Sequence, residues 1–555
     1  MSARAPELAF VALGGAGEIG MNLNLYGYGP APDGHQWLMV DLGVTFGGDG
    51  IPGIDVIMPD PSFIVERRGR LLGLVLTHAH EDHLGAVAHL WNRLRCPIWA
   101  TPFTVSILTR KLREAGLDGQ VPITTVPLGG RVKIGPFDIE LVTVTHSIPE
   151  PNALAIRTPL GTIVHTGDWK FDPAPVLGPV SDEAALRKLG DEGVLAIVCD
   201  STNVFTPGVS GSEADLEAPL TDLIRDSDGR VAVACFASNV ARLETIAKAA
   251  AACGRDVVLA GRSLRRMDEA ARENGYLADT RAFLDEDAAG WLPPERTVII
   301  CTGSQGEPRA ALSRIAADEH PRVTLEDGDT VIFSSRVIPG NEVSIGKLQN
   351  DLVRRGIEII TWRDHHVHVS GHPARDELMR MYQLVRPGIS IPVHGELRHM
   401  LEHADLAEEC QVPQAVVSEN GGLIRLAPGR AEIIGRVPVG RLALDGNRLV
   451  PINGALVRDR NRAIYNGSAV ITVVLDRKGR VCDHVQVSSL GVMEANDKDA
   501  LGVVRETVEE VIVAMSPAKR DDDGAVKEAV RIAVRRVFRD RFDKRPVTNV
   551  HLVRI

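Results

Sequence analysis

Apolar residues in the first third of the chain come in short alternating runs cut by Gly, Pro and Asp. Between residues 8 and 175 these runs include LAFVALGG, MNLNLYGYG, QWLMVDLG, LLGLVLTH, CPIWAT, FDIELVTVTHS, ALAIRTP and GTIVHTGD. Such runs predict strands, and many short strands with few long helices predict stacked sheets. From about residue 210 to 355 the texture changes. RVAVACF, DVVLAG, TVIICTG and DTVIFSS alternate with the helix-type segments ARLETIAKAAAACG and RSLRRMDEAARENGYL. That alternation predicts an α/β unit built on a mainly parallel sheet. After 355 the first texture returns in IEIITW, HHVHVSGH and ISIPVHGE, joined by the helix RDELMRMYQLV. Residues 1–209 and 356–430 therefore read as two parts of one domain, with 210–355 inserted between them. Residues 431–460, rich in Gly, Arg and Pro, read as a linker, and 461–555 as a small α+β domain of two strands, two helices and a last strand.

One apolar run ends in an unusual way. LLGLVLT passes into His78, His80, Glu81, Asp82 and His83, three imidazoles and two acids within six residues. Imidazole with carboxylate is the ligand set of a divalent metal such as zinc or manganese. At a strand end His78 and His80 share a side because side chains alternate, and Asp82 and His83 fall on the first turn of a following helix. Three later positions also come directly after apolar strands: His146 in THSIPE, Asp168 in TGDWKFD and His394 in PVHGE. All can converge on one rim of a sheet. Two cations about 3.5–4 Å apart can activate a bridging water and clamp a phosphodiester for in-line attack.

Composition narrows this picture. A net charge of −11 argues against a surface that wraps nucleic acid everywhere, though not against a local basic channel. With 4% aromatic residues, a few well-placed rings would have to do any base stacking. Seven scattered cysteines without a C-x-x-C pair read as reduced thiols, not as a disulfide framework or thiolate metal site. There is no membrane-length apolar run and no signal-peptide pattern at the N-terminus, so a cytoplasmic location is expected.

On these residues the sequence resembles the metallo-β-lactamase superfamily: Asp41 in MVDLG, Thr77 to His83, then His146, Asp168 and His394. The insertion and HVSGH match its β-CASP branch. The run GGAGEIGMN, THAHEDHLGA, CDSTN, FASN, TGSQGEP, SSRVIPGNE, HVSGH and PVHGE is similar to the bacterial ribonuclease J family over nearly the whole chain. The resemblance implies an αββα sandwich with an inserted β-CASP α/β domain and a small C-terminal α+β domain. It implies that His78, His80 and His146 hold one metal and that Asp82, His83 and His394 hold a second. Asp168 would bridge the two ions, with Asp41 in a supporting shell. Zinc is the expected ion and manganese an alternative. His372 would protonate the leaving oxygen, oriented by Asp200, with Asp82 also in the catalytic group. A histidine held by a carboxylate stays protonated near neutral pH, as a general acid requires.

The same resemblance assigns RNA binding to Ala237, Ser238 and Asn239 and to His368, Val369, Ser370, Gly371 and His372. A polar loop at a helix N-terminus, such as FASN, suits an anion. TGSQGEP and Ser334 to Arg336 are further candidate contacts, with Arg336 a phosphate partner. The activity implied is 5′→3′ exonucleolytic hydrolysis of single-stranded, 5′-monophosphorylated RNA, with some endonuclease capacity. Its setting would be rRNA maturation and mRNA decay, in a dimer or tetramer formed through the C-terminal domain and without membrane contact. The alternatives are a non-catalytic RNA-binding paralogue or another β-CASP nuclease acting on DNA. Gly15 to Gly20 match G-x-G-x-x-G, but an alternating run follows where a dinucleotide site needs a helix, so a hairpin turn is expected. The basic stretch from Lys527 to Arg545 reads as an amphipathic helix for packing or oligomer contact, with Val530, Ala533, Val534 and Val537 on its apolar side; the alternative is an RNA-binding helix. His35, His89, His165, His320, His365, His366, His399, His403, His484 and His551 lack the ligand pattern.

Overall fold

The structure is a computed structural model describing residues 5–30, 34–48, 50–483, 485–494 and 497–555. His484 lies outside the described residues. The chain divides into two compact units, one of residues 1–45 and 58–440, the other of Phe46–Ile57 and Arg441–Ile555.

In the larger unit the alternating runs form two sheets. One has eight strands, in which Leu23–Pro30 lies between Pro6–Gly14 and Gln36–Val40, and Leu71–Val75 runs parallel to Gln36–Val40. The other has six, from Arg131–Ile134 through Phe137–Thr143, Asn152–Thr158, Gly161–His165 and Ala196–Asp200 to Ile389–Val393. The two sheets share a core that includes Leu8, Phe10, Leu38, Val40, Leu141, Ile156, Val198 and Ile391. Helices Glu183–Glu192, Arg375–Val385 and Leu397–Glu409 cover the far face of the six-stranded sheet with Leu186, Leu378, Met381 and Leu406. On the far face of the other sheet, Trp37 packs edge-on against Phe63 of the helix Ser62–Val65. The result is the expected αββα sandwich.

Three strands of the second sheet position chemistry. Gly161–His165, Ala196–Asp200 and Ile389–Val393 are adjacent and parallel, so Asp168, Asp200 and His394 emerge side by side at their carboxyl ends. Ala196–Asp200 and Ile389–Val393 are buried along their whole length, which is why they read as continuous apolar runs. The G-x-G-x-x-G segment leads into the strand Leu23–Pro30, and Gly15, Gly17 and Gly20 all have positive φ, as a tight turn demands.

The inserted domain is a five-stranded, wholly parallel sheet. Its strands present Ala232, Ala234, Ile299 and Val331 to one core and Val231, Val233, Ile300 and Ile332 to another. Its fifth strand is Glu358–Thr361, paired with Thr330–Phe333. The insertion thus runs past 361, not to 355, because a short apolar strand carries no mark of which sheet it joins. HHVHVSGH forms no strand. Val367 and Val369 are instead buried in the inserted domain's core, and the residues around them form a loop.

The linker expected at 431–460 is also structured. Glu432–Arg436 pairs with Gly422–Ala427 at the edge of the eight-stranded sheet, Arg441–Asp445 and Arg448–Pro451 form a hairpin, and Ala455–Asn466 is a helix. Its edge strand is exposed, with Ile433 and Ile434 adjacent, so it shows no period-two alternation to read. In the smaller unit Ser468–Leu475 lies between antiparallel Gln486–Leu490 and parallel Val547–Arg554. Helices Lys498–Ala514 and Asp523–Phe542 bury Val504, Val508, Val530, Val534 and Phe538 against the sheet's residues, so the basic stretch packs its apolar stripe as expected. Among the described residues no helix is long and apolar enough to cross a membrane.

Arg242, on the first turn of Val240–Ala252, is fully buried and meets Glu213 at 2.5 and 3.1 Å while donating to the carbonyls of Ser334 and Val367 at 2.8 and 3.3 Å. Arg242→Leu strands the Glu213 carboxylate without its cation and is expected to cost about 3–5 kcal/mol. Amide exchange in Val231–Ala234 and Thr330–Phe333 reads the loss; protection equal to the parent protein would contradict it.

Candidate metal centre

After Leu71–Val75 the chain runs extended to His80, the N-cap of the short helix Glu81–Leu84. Glu81 and Asp82 lie in its first turn, where the helix dipole favours acids. Glu81 turns away to pair with Lys111 at 2.5 Å, leaving Asp82 to face the site. Gly43 permits this close packing: a Cβ there would overlap the Asp82 carbonyl.

The seven expected ligands fall into two groups that share Asp168. His78, His80, His146 and Asp168 form one group; Asp82, His83, His394 and Asp168 form the other. In the first, His80 Nδ1 lies 3.1 Å from His78 Nε2 and 3.0 Å from His146 Nε2, and Asp168 Oδ2 is 3.8 Å from both of those Nε2 atoms. In the second, Asp168 Oδ1 is 3.2 Å from His83 Nε2 and 3.7 Å from His394 Nε2, while Asp82 Oδ2 is 3.0 Å from His394 Nε2. Ligands 2.0–2.1 Å from a tetrahedral ion are about 3.3 Å apart, so these spacings suit a cation in each group. One carboxylate oxygen faces each. Asp168 Oδ1 is buried and accepts no well-aligned hydrogen bond, a costly state for an anion that a cation would relieve.

The other ring nitrogens are held from behind. His83 Nδ1 is 2.7 Å from Asp41 Oδ2, and Asp41 also accepts from the Thr77 amide and hydroxyl, each at 2.8 Å. The Thr77 hydroxyl in turn lies 3.0 Å from His78 Nδ1. Gly371 O takes His146 Nδ1 at 2.5 Å, and Thr202 Oγ1 lies 2.8 Å from His394 Nδ1. Four imidazoles therefore present Nε2 to the centre with their Nδ1–H engaged, the arrangement that fixes a metal-binding tautomer. Asp41 thus lies behind His83 and, through Thr77, behind His78. The supporting roles of Thr77 and Thr202 were missed, although both stand inside the motifs THAHEDH and CDSTN, and Gly371, expected as an RNA contact, holds His146 through its carbonyl.

Electrostatics differ between the groups. Burial lowers the pKa of His78 and His146 well below the usual value and brings His80 down to about 4, with neighbouring imidazoles adding to the fall at His78 and His146. Burial acts the same way on His83 and His394, but Asp168 leads a set of acids that outweighs it and raises both. Asp168 itself would be raised by burial, yet His394 and His83 hold it well below the carboxylate range.

His372 stands at the open side of the centre. Its side chain is 23% exposed and that of Asp82 30%, whereas the other carboxylates and His83 are buried. His372 Nδ1 lies 2.8 Å from Asp200 Oδ2 and 3.9 Å from Asp168 Oδ2. Burial would lower its pKa; Asp200, then Asp168, raise it above the ordinary histidine value. Asp200 Oδ1 accepts from the Thr202 hydroxyl at 2.7 Å, so one carboxylate braces both His372 and, through Thr202, His394.

Of the expected RNA contacts, Ser370 Oγ accepts from Asn203 Nδ2 at 2.7 Å and keeps its own proton to donate. His368 is half-buried, with Nδ1 unpartnered and its pKa lowered by burial and then by Arg242. Val369 buries its side chain in the inserted domain. Gly371 is required by packing, since a Cβ would come within 2.8 Å of the His146 ring. Asn239 caps its own helix, accepting from the Arg242 amide at 2.9 Å. Because Arg242 also binds the Val367 carbonyl, Ala237 to Asn239 lie beside the start of the histidine loop.

Fold and site together define a hydrolase of the metallo-β-lactamase type carrying a β-CASP insertion. Comparison with known proteins extends this. Residues 52–186 match a beta-lactamase superfamily domain, 228–352 the ribonuclease J beta-CASP domain, 362–415 a Zn-dependent metallo-hydrolase RNA specificity domain and 455–555 the ribonuclease J C-terminal domain. The chain is 46% identical to ribonuclease J of Sinorhizobium meliloti, over 99% of its own length and 98% of that protein's. It is 35% identical to ribonuclease J of Thermus thermophilus, over 90% and 87% of the two chains, and 32% identical to ribonuclease J2 of Bacillus subtilis, over 98% and 97%. A crystal structure of a protein of unknown function from Enterococcus faecalis shares the fold, with TM-score 0.51 at 17% identity, over 76% of this chain and 100% of that one. The chain belongs to the ribonuclease J family. It is a metal-dependent ribonuclease that binds a divalent metal and RNA.

A bound cation needs neutral imidazoles, so protons compete with it. His83 and His394, raised, take up protons at higher pH than His78, His80 and His146, which are lowered. Acidification is therefore expected to weaken divalent-metal binding as the imidazoles take up protons. Metal analysis after dialysis at falling pH checks this; metal content independent of pH down to about 4 would refute imidazole ligation.

Proposed function

We propose that this protein degrades RNA in the 5′→3′ direction from 5′-monophosphate ends, with some endonuclease capacity, and serves rRNA maturation and mRNA decay in the cytoplasm. The observation that carries the reading is the pairing of two donor groups around Asp168 with a carboxylate-held histidine on their open side. His78, His80 and His146 would hold one divalent ion and Asp82, His83 and His394 a second, with Asp168 offering an oxygen to each group. The donor set suits zinc and accepts manganese. Such a pair of ions makes water nucleophilic at neutral pH and screens the charge of the phosphodiester.

The remaining work falls to the chain. Asp82, on the open side, takes a proton from the attacking water. His372, with Nδ1–H engaged by Asp200, delivers the Nε2 proton to the leaving oxygen. Ser370 and His368, with the Ala237–Asn239 loop, bind the 5′-phosphate or the nucleotide next to it. Seven free cysteines are consistent with a reducing compartment. The exposed Tyr465, Leu490 and Val513 of the C-terminal unit support self-association into dimers or tetramers through it.

His372→Ala is expected to lower kcat by about 10²–10⁴-fold while metal content is kept. Asp200→Asn removes the charge that raises His372, so the alkaline fall in kcat moves to lower pH; an unmoved limb would exclude His372 as the acid. On matched RNAs, the 5′-monophosphate form should yield mononucleotides faster than the 5′-triphosphate form, with His80→Ala as the inactive control. Equal rates, or internal fragments alone, would defeat the end-directed reading.

A further inference from the structure

The loops at the carboxyl end of the inserted sheet come from neighbouring strands. Thr297–Cys301 leads to TGSQGEP, Val231–Ala234 to Ala237–Asn239, Thr330–Phe333 to Ser334–Arg336, and Glu358–Thr361 to Trp362. Open parallel sheets bind ligands along this edge. Trp362 also begins the loop that carries His368 to His372, and six residues of chain keep it within roughly 20 Å of His368.

Trp362 is 37% exposed and has two guanidiniums close to its ring, with Arg336 5.7 Å and Arg363 5.5 Å from the ring centroid. Neither arginine forms a salt bridge among the described residues. The nearest acid in sequence, Asp364, is used otherwise: it accepts from the Thr361 amide and hydroxyl at 2.9 and 2.7 Å. The platform is held in place, since Gln305 Nε2 donates to the Arg336 carbonyl at 2.9 Å. Two unneutralised cations beside an exposed indole suit a ligand that alternates planar rings with anions.

We propose that Trp362, Arg336 and Arg363 form a stacking platform for single-stranded RNA, the indole taking one base and the guanidiniums the flanking phosphates. Every base has a π-face, so the contact tolerates sequence, as a processive nuclease requires. It would hold substrate at a distance from the cut and act on binding. The proposal rests on the assignment of the Ser370–His372 loop to RNA.

The test uses the full-length, metal-loaded protein with a 5′-monophosphorylated dinucleotide and a long unstructured RNA. Trp362→Ala is expected to raise KM for the long RNA by about tenfold. The effect should spare kcat and be absent with the dinucleotide, and Trp362→Phe should restore most of the affinity. Arg336→Ala and Arg363→Ala should each flatten the salt dependence of log KM by about 0.7, which the Trp362 variants should not do. Unaltered KM and salt slope, or equal losses on both substrates, would overturn the platform. If the parent protein releases no nucleotides from the monophosphate end, the exonuclease reading fails, while equilibrium binding of the long RNA to Trp362→Ala still decides the platform.

Discussion

The sharing of Asp168 between two donor groups is the constraint on which the rest of the site depends. Each of its oxygens faces a different set of imidazoles, so any displacement of this side chain opens both groups at once. It is held at the end of Gly161–His165, whose neighbours are the parallel strands ending in Asp200 and leading to His394. A buried carboxylate is expensive unless positive charge meets it. The fold thus builds a buried anionic position that suits a divalent cation.

Behind the ligands, short polar links tie the centre together. Asp41 braces His83 directly and His78 through Thr77. Asp200 braces the proposed acid His372 directly and His394 through Thr202. Proton donor and metal ligand therefore lean on one carboxylate, and a change at Asp200 is felt at both.

The inserted domain contributes more than a wall. Its core buries Val367 and Val369, and Arg242 bonds the Val367 carbonyl from within that core. From this anchorage the loop reaches the sandwich, where the Gly371 carbonyl meets His146 and His372 meets Asp200. The candidate metal ligand His146 and the carboxylate Asp200 are thus joined to a loop anchored in the inserted domain.

Much of this was legible in the chain itself. Period-two runs gave the strands of the sandwich, alternating strand and helix patterns gave the parallel insertion, and metal chemistry was written in the residue types from His78 to His83. Those features are local: a strand end with three imidazoles looks the same before and after folding. What the sequence left open depends on partners distant along the chain. The strand Glu358–Thr361 joins the inserted sheet by hydrogen bonding that no local pattern encodes, and in the expected linker Glu432–Arg436 becomes a strand by pairing with the distant Gly422–Ala427 edge, not by any alternation of its own. Thr77, Thr202 and Gly371 gain their roles only when the rims meet, and Trp362 gains its flanking cations only when Arg336 and Arg363 fold beside it. Residue types set which chemistry was available, and tertiary contact decided the orientation, tautomer and electrostatic environment in which it operates.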